Sequence, residues 1–221
     1  MLFRNRKHAG QELAKLLKEK GYDNNFLVLG LPRGGVPIAH EVATELGASL
    51  DIFIVRKLGV PGHEELAMGA LGPDRKALLN QELIDRLSIS DFQIDGVIAR
   101  EQRELERRMK SYRKGRPELN LADRDVLLVD DGLATGMSMK VAVEAIRQYS
   151  VKSVHVAVPV ASDDALALLS AAADGVVCVA APPHFFGVGQ WYDDFSQTSD
   201  EEVVELLSRS THPPEQPRLS S

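Results

Sequence analysis

Apolar positions along the chain follow two alternating rhythms. Between residues 5 and 20, Ala9, Leu13, Leu16 and Leu17 recur at helical spacing and Gly21 supplies a stop, so the chain opens on an amphipathic helix. FLVLGL at 26–31 is instead a short continuous apolar run. It leads into PRGG, after which Ile38, Val42 and Leu46 mark one face of a helix that ends at Gly47. The unit recurs: LDIFIVRKLG at 50–59, SVHVAVPV at 153–160 and GVVCVAA at 175–181 read as strands, and VLLVDDGLATGMS at 126–138 as strand then turn. Helices are predicted over 137–149, through Met139, Ala142, Ile146 and Tyr149, and over 163–172. Apolar strands separated by helices predict an α/β fold, with a central parallel sheet covered on both faces and right-handed crossovers.

The middle of the chain is less regular. MGAL and KALLN read as short strands, and a long polar helix follows over 91–111. Its many Arg and Lys are interleaved with Glu101, Glu104 and Glu106, and Glu104 and Arg108 stand four apart, the spacing of a helical ion pair. This reads as a solvated helix face, with a basic wall beside an anionic ligand as the alternative. Residues 1–209 are expected to form one domain, and the polar, proline-rich stretch 210–221 to be a disordered tail.

Composition narrows the function classes. The 221 residues can bury a sizeable core, and 44% hydrophobic with 26% charged residues is ordinary for a globular chain. A formal net charge of −6 argues against nucleic acid, whose many phosphates demand a surplus of Lys and Arg. No stretch approaches the ~20 apolar residues of a membrane helix and no apolar leader opens the chain, so a soluble, cytoplasmic protein without membrane partners is expected. The single cysteine, Cys178, excludes an internal disulfide and a cysteine zinc cluster, and its apolar neighbours predict a small buried hydrophobe.

The chemistry concentrates after the strand at 126–129. In an open parallel sheet, ligands sit beyond the carboxyl ends of the strands, and Asp130 and Asp131 lie at that edge. The GLATGMS that follows is small enough for the amides of Ala134, Thr135, Gly136, Met137 and Ser138 to wrap a phosphate, with hydroxyls from Thr135 and Ser138. Two carboxylates would repel a bare phosphate, so the ligand must offer them something else. Vicinal ribose hydroxyls suit them, because a carboxylate accepts strong charge-assisted hydrogen bonds. A ribose 5-phosphate unit fits both halves; an Asp-Asp helix cap after a core strand is the structural alternative.

This segment resembles the diphosphoribose motif of the type I phosphoribosyltransferase family, with Asp130, Asp131, Ala134, Thr135, Gly136, Met137 and Ser138 matching in order. The resemblance implies a type I phosphoribosyltransferase fold, a parallel sheet flanked by helices with a small hood, that binds 5-phosphoribosyl-1-pyrophosphate and transfers its phosphoribosyl group to a nitrogenous base in nucleotide metabolism. Leu31 to Gly35 resembles the family's pyrophosphate loop, where a non-proline cis peptide is expected between Arg33 and Gly34. Arg56 and Lys57, at the end of the second strand, resemble the basic pair that meets pyrophosphate. The implied pyrophosphate-binding set is thus Arg33, Gly34, Gly35, Arg56 and Lys57. The catalytic set is Asp130, Asp131, Lys57 and Arg33, and magnesium would arrive on the ligand without a direct protein ligand.

Two further segments fall where the family has functional parts. GVPGHEELAMGA at 59–70 corresponds to a mobile loop, with Gly59, Gly62 and Gly69 as hinges and His63, Glu64 and Glu65 as polar candidates. HFFGVGQWYDDF at 184–195 corresponds to the hood, whose Phe185, Phe186, Trp191 or Tyr192 would stack on a base. Members acting on 6-oxopurines carry an acidic residue where this chain has Ala134, which leaves the acceptor open. A homodimer is compatible with the resemblance. A non-catalytic regulator that binds phosphoribosyl pyrophosphate, and a phosphatase or hydrolase of a phosphorylated sugar or nucleotide, stand as alternatives.

Overall fold

The computed structural model describes residues 2–210, apart from the side chain of Glu65. The tail expected over 210–221 lies, beyond Ser210, outside the described residues. In chain order the elements are α1 (Arg6–Glu19), β1 (Leu27–Gly30), α2 (Gly35–Leu46), β2 (Ser49–Ile52), β3 (Arg56–Val60), β4 (His63–Leu71), β5 (Ala77–Leu79), α3 (Gln81–Leu87) and α4 (Asp91–Tyr112). There follow β6 (Asp125–Val129), α5 (Met137–Arg147), β7 (Ser153–Val160), α6 (Asp163–Ser170), β8 (Gly175–Ala180), a 3-10 turn at Val188–Trp191, and α7 (Asp200–Arg209). Five strands form the central sheet in the order β2-β1-β6-β7-β8, and every neighbouring pair is parallel.

The apolar strands are apolar because both sheet faces are covered. Val28, Leu127 and Val129 pack on the side of Leu13 and Leu17 of α1 and Ile38 and Val42 of α2. Their neighbours Leu27, Leu29, Val126 and Leu128 pack on the opposite side with Met139, Ala142 and Ile146 of α5 and Leu169 of α6. Leu13 and Leu17 are fully buried, each contributing about 1.5–3 kcal/mol of burial. The five-stranded sheet therefore lies between layers of helices. Among the described residues, no helix is long and apolar enough to cross a membrane.

Two expectations are corrected. The run at 50–59 is not one strand: β2 stops at Ile52, and β3 starts at Arg56 in a separate antiparallel sheet of order β3-β4-β5. Phe53 is buried on one side of the main sheet and Ile54 on the other, so hydrophobicity stays continuous while the chain changes sheets. Arg56 and Lys57 therefore open a hairpin, and do not end the second strand. The segment 59–70 is likewise that hairpin and not a free loop. Gly62 takes φ +79° at the turn, whereas a Cβ on Gly59 would lie 2.7 Å from the Glu64 carbonyl oxygen and one on Gly69 2.4 Å from that of Leu78. Those two glycines serve close strand approach, not hinge motion. His63 and Glu64 are exposed on β4.

The long helix falls where expected, opened by a capping box between Ser90 and Gln93. Glu104 pairs with Arg107 and Arg108, which matches the solvated reading, yet Glu101 on the same helix is buried. Helices α3 and α7 were not anticipated. Cys178 is only partly buried, and its thiol, donating to the Ala180 carbonyl, is pushed by burial to about 11.

Below the sheet edge, Asp51 of β2 is 1% exposed and pairs with Arg113 at 2.7 Å. Removing one member of such a pair strands the other charge in a dry environment. Asp51→Ala is expected to destabilise the fold by about 3 kcal/mol or more, read from the urea midpoint at constant slope.

Candidate functional site

The strand order sets where a ligand can enter. From β1 the chain crosses to β2 on one side, and β6 lies on the other, so the topological switch falls between β1 and β6. Gly30 and Val129, the last residues of these strands, are register partners, and the Leu31 amide still donates to the Val129 carbonyl at 2.9 Å. The loop 31–34 and the aspartates 130 and 131 therefore leave the sheet side by side.

Their contact is as close as backbone allows. A Cβ on Gly35 would sit 2.5 Å from the Val129 carbonyl oxygen and 2.8 Å from the Asp130 Cα; one on Gly34 would sit 2.1 Å from Asp131 Oδ2. Only glycines fit there. The cis peptide of this loop is at Pro32–Arg33, one bond earlier than expected.

Asp130 Oδ1 accepts from the Asp131 amide at 2.9 Å. Asp131 Oδ2 accepts from Arg6 Nε at 2.9 Å and Nη2 at 2.8 Å, and the Asp131 carbonyl accepts from the Tyr192 hydroxyl at 2.6 Å. Burial drives both carboxyls upward. Asp130 is raised first by desolvation and then by the neighbouring Asp131 charge, whereas the Arg6 guanidinium opposes the shift at Asp131.

The phosphate-cup candidates follow directly. Gly136 adopts φ +72° and is the N-cap of α5, so the helix begins at Met137 without a side-chain cap. Ala134, Thr135, Met137 and Ser138 are exposed, and Gly136 is buried against Ala165. Ser162 holds the loop from behind, its hydroxyl donating to the Ala134 carbonyl at 2.6 Å. Thr135 Oγ1 accepts from the Met137 amide at 3.4 Å.

The remaining candidates are distributed unevenly. Arg33, half-buried, reaches Asp200 of α7 at 3.4 Å, and Asp200 also accepts from the Tyr112 hydroxyl at 2.6 Å. Arg56 is paired with the buried Glu101 of α4 at 2.7 Å, so its charge is already matched. Lys57, its neighbour on β3, has Ala70 of β4 as register partner. Of the aromatic candidates, Phe186 is 89% exposed, and Phe185 and Trp191 form a tilted pair with centroids 6.1 Å apart. Tyr192 differs from the expectation: it is 2% exposed, with its ring against Phe3 and Phe195 and its hydroxyl on the aspartate loop. It anchors the site instead of offering a free face.

Sequence reasoning missed Arg6, Tyr192 as an anchor, and Asp200. Each meets its partner from far along the chain; Arg6 and Asp200 lie in no motif, and the hood segment marked Tyr192 for a different role.

The phosphoribosyl transferase domain description matches residues 3–192 of this chain. Proteins from two Mycobacterium tuberculosis strains, provisionally named phosphoribosyl transferases, are each 44% identical over 209 residues, covering 95% of this chain and 47% of theirs. The chain thus spans about half the length of the curated relatives it matches. The crystal structure of TT1426 from Thermus thermophilus superposes with a TM-score of 0.86 at 42% identity, covering 95% of this chain and 99% of that one.

The electrostatics carry a test. A carboxyl whose folded pKa is raised favours folding while protonated, so its contribution is full below the unfolded value of ~3.9 and is lost as pH rises through the folded value. Asp130→Asn is therefore expected to be more stable than the parent at pH 7, with the difference shrinking as pH falls towards 4. Urea unfolding across that range checks it.

Proposed function

The chain belongs to the phosphoribosyl transferase domain family, and from that premise we propose that its switch-point crevice binds 5-phosphoribosyl-1-pyrophosphate and transfers the phosphoribosyl group to a nitrogenous base. The observation that carries this reading is the juxtaposition of the two enclosed aspartates with the exposed 134–138 turn at the N-terminus of α5. One supplies acceptors for ribose hydroxyls; the other supplies amides and a helix dipole for the 5'-phosphate.

In this reading, the anomeric carbon gains positive charge as pyrophosphate departs, and fixed charges stabilise the separation without a covalent nucleophile. Asp130 and Asp131 orient the sugar and lend it negative potential. Arg33 and Lys57 meet the leaving group; Gly34 and Gly35 let the loop backbone approach. Arg33 must exchange Asp200 for the ligand, and Arg56 keeps Glu101 and so supports the strand more than it binds. The carboxylate oxygens at hand are those of Asp130 and Asp131, and Asp131 is already held by Arg6. That fits a magnesium ion that would arrive on the ligand's own oxygens, without a direct protein ligand, and would neutralise the pyrophosphate when bound. Phe185, Phe186 and Trp191 are the faces on which a base could stack.

Ala134, where a proton partner for a base would stand, favours a second reading: a sensor that binds phosphoribosyl pyrophosphate without turnover. Following pyrophosphate release with magnesium, phosphoribosyl pyrophosphate and a panel of purines, pyrimidines and other nitrogen acceptors separates the two. Base-dependent release supports transfer, binding without release supports sensing, and phosphate release without added base would mean hydrolysis.

Asp131→Asn is expected to lower affinity or turnover with phosphoribosyl pyrophosphate at least tenfold, roughly 1.4 kcal/mol, with the fold retained. Unchanged calorimetric binding would remove the diol assignment. Lys57→Ala is expected to weaken phosphoribosyl pyrophosphate more than ribose 5-phosphate; equal losses would move Lys57 away from the leaving group.

A further inference from the structure

Arg6 draws together parts of the chain that are remote in sequence. It is the first residue of α1, and its side chain is only 12% exposed. Nε and Nη2 both meet Asp131 Oδ2, at 2.9 and 2.8 Å, while Nη1 donates to the Ser196 carbonyl at 2.6 Å. The guanidinium carbon lies 4.0 Å from the centroid of the Phe195 ring. One planar group thus uses two edges on hydrogen bonds and a face on an aromatic ring, a combination that a lysine ammonium cannot reproduce. The segment it reaches is already zipped to the start of the chain. Leu2 and Phe3 amides donate to the Trp191 carbonyl, and the Asp193 and Asp194 amides donate back to Phe3 and Arg4.

We propose that Arg6 is a positioning residue for Asp131, fixing one carboxylate oxygen so that Oδ1 is the acceptor left for a ligand hydroxyl, and tying that orientation to the seating of residues 191–196. The inference rests on the function proposed above. Mere packing would not require the charge: Arg6 is the cation beside a pair of enclosed carboxylates, and it contacts the second of them, whose backbone carbonyl Tyr192 holds from the hood side. The titratable and charged groups around Asp131 are Arg6 from α1, Asp130 from the end of β6 and the Tyr192 hydroxyl; Asp194 in turn acts on Arg6.

The test uses the full chain with Arg6→Gln and Arg6→Lys. Three readouts are taken: the Asp131 carboxyl titration by carbon NMR without ligand, the fluorescence of Trp191, which is the chain's single tryptophan, and calorimetric affinities for ribose 5-phosphate and for pyrophosphate. Arg6→Gln is expected to move the Asp131 titration upward, shift the Trp191 emission and weaken ribose 5-phosphate about tenfold, with pyrophosphate unchanged. Arg6→Lys is expected to restore the titration but not the emission or the full affinity. Equal losses for both ligands would mean a general structural role and overturn the proposal, as would unchanged titration and emission. If the parent protein binds neither ligand, the functional reading fails, and the NMR and fluorescence results alone still decide whether Arg6 governs Asp131 and the hood. Should Arg6→Gln not fold, Arg6→Lys is judged against the parent: fluorescence and ribose 5-phosphate affinity equal to the parent's would overturn the proposal.

Discussion

The structure depends on two backbones passing with no room between them. Gly30 and Val129 are partners in the central sheet, so the loops that follow them start adjacent, and a side chain at Gly35 would overlap the backbone at Val129 and Asp130. The two glycines are there for space more than for flexibility. Because they let the 31–34 loop lie against the aspartates, the groups proposed for a pyrophosphate and those proposed for a sugar come from opposite sides of one crevice. Strand order supplies the crevice, since β1 is where the chain's path reverses.

The same closeness creates an electrostatic difficulty. Two adjacent carboxyls are largely enclosed with a guanidinium paired to one of them, and burial raises both. Such an arrangement costs folding stability and persists where fixed charge is useful to a ligand. Around it the chain's own charges are matched in pairs, Arg33 with Asp200 and Arg56 with Glu101. In the proposed reading, an anion would draw Arg33 from Asp200, one negative environment to another, while Arg56 stays with Glu101.

Most of the scaffold was legible because local rules sufficed. Continuous apolar runs marked the five parallel strands, and Gly47 marked a helix end, where it takes a left-handed conformation. The strand, the aspartates and the small turn lie within thirteen consecutive positions, 126–138, so their succession and the family resemblance could be read locally. What local rules could not show was the break between Ile52 and Arg56, where hydrophobicity never falls, or the pairing of β3, β4 and β5, in which glycines that look like hinges are contact points. Arg6 meets Asp131 across 125 positions and Arg33 meets Asp200 across 167. In sequence, Arg6 and Asp200 look no different from solvated side chains.

The zipper between residues 2–4 and 191–194 also sets an order of events in synthesis. Arg6 and Ser196 are 190 positions apart, so at about 5–20 residues per second roughly 10–40 seconds separate their emergence from the ribosome. During that interval α1 can dock and the sheet can form, but Asp131 has no guanidinium seated beside it by Phe195 and Ser196. The nascent chain therefore passes through a stage in which its scaffold is built and its acidic pair is still open to water, until the later segment around Phe195 and Ser196 shuts it.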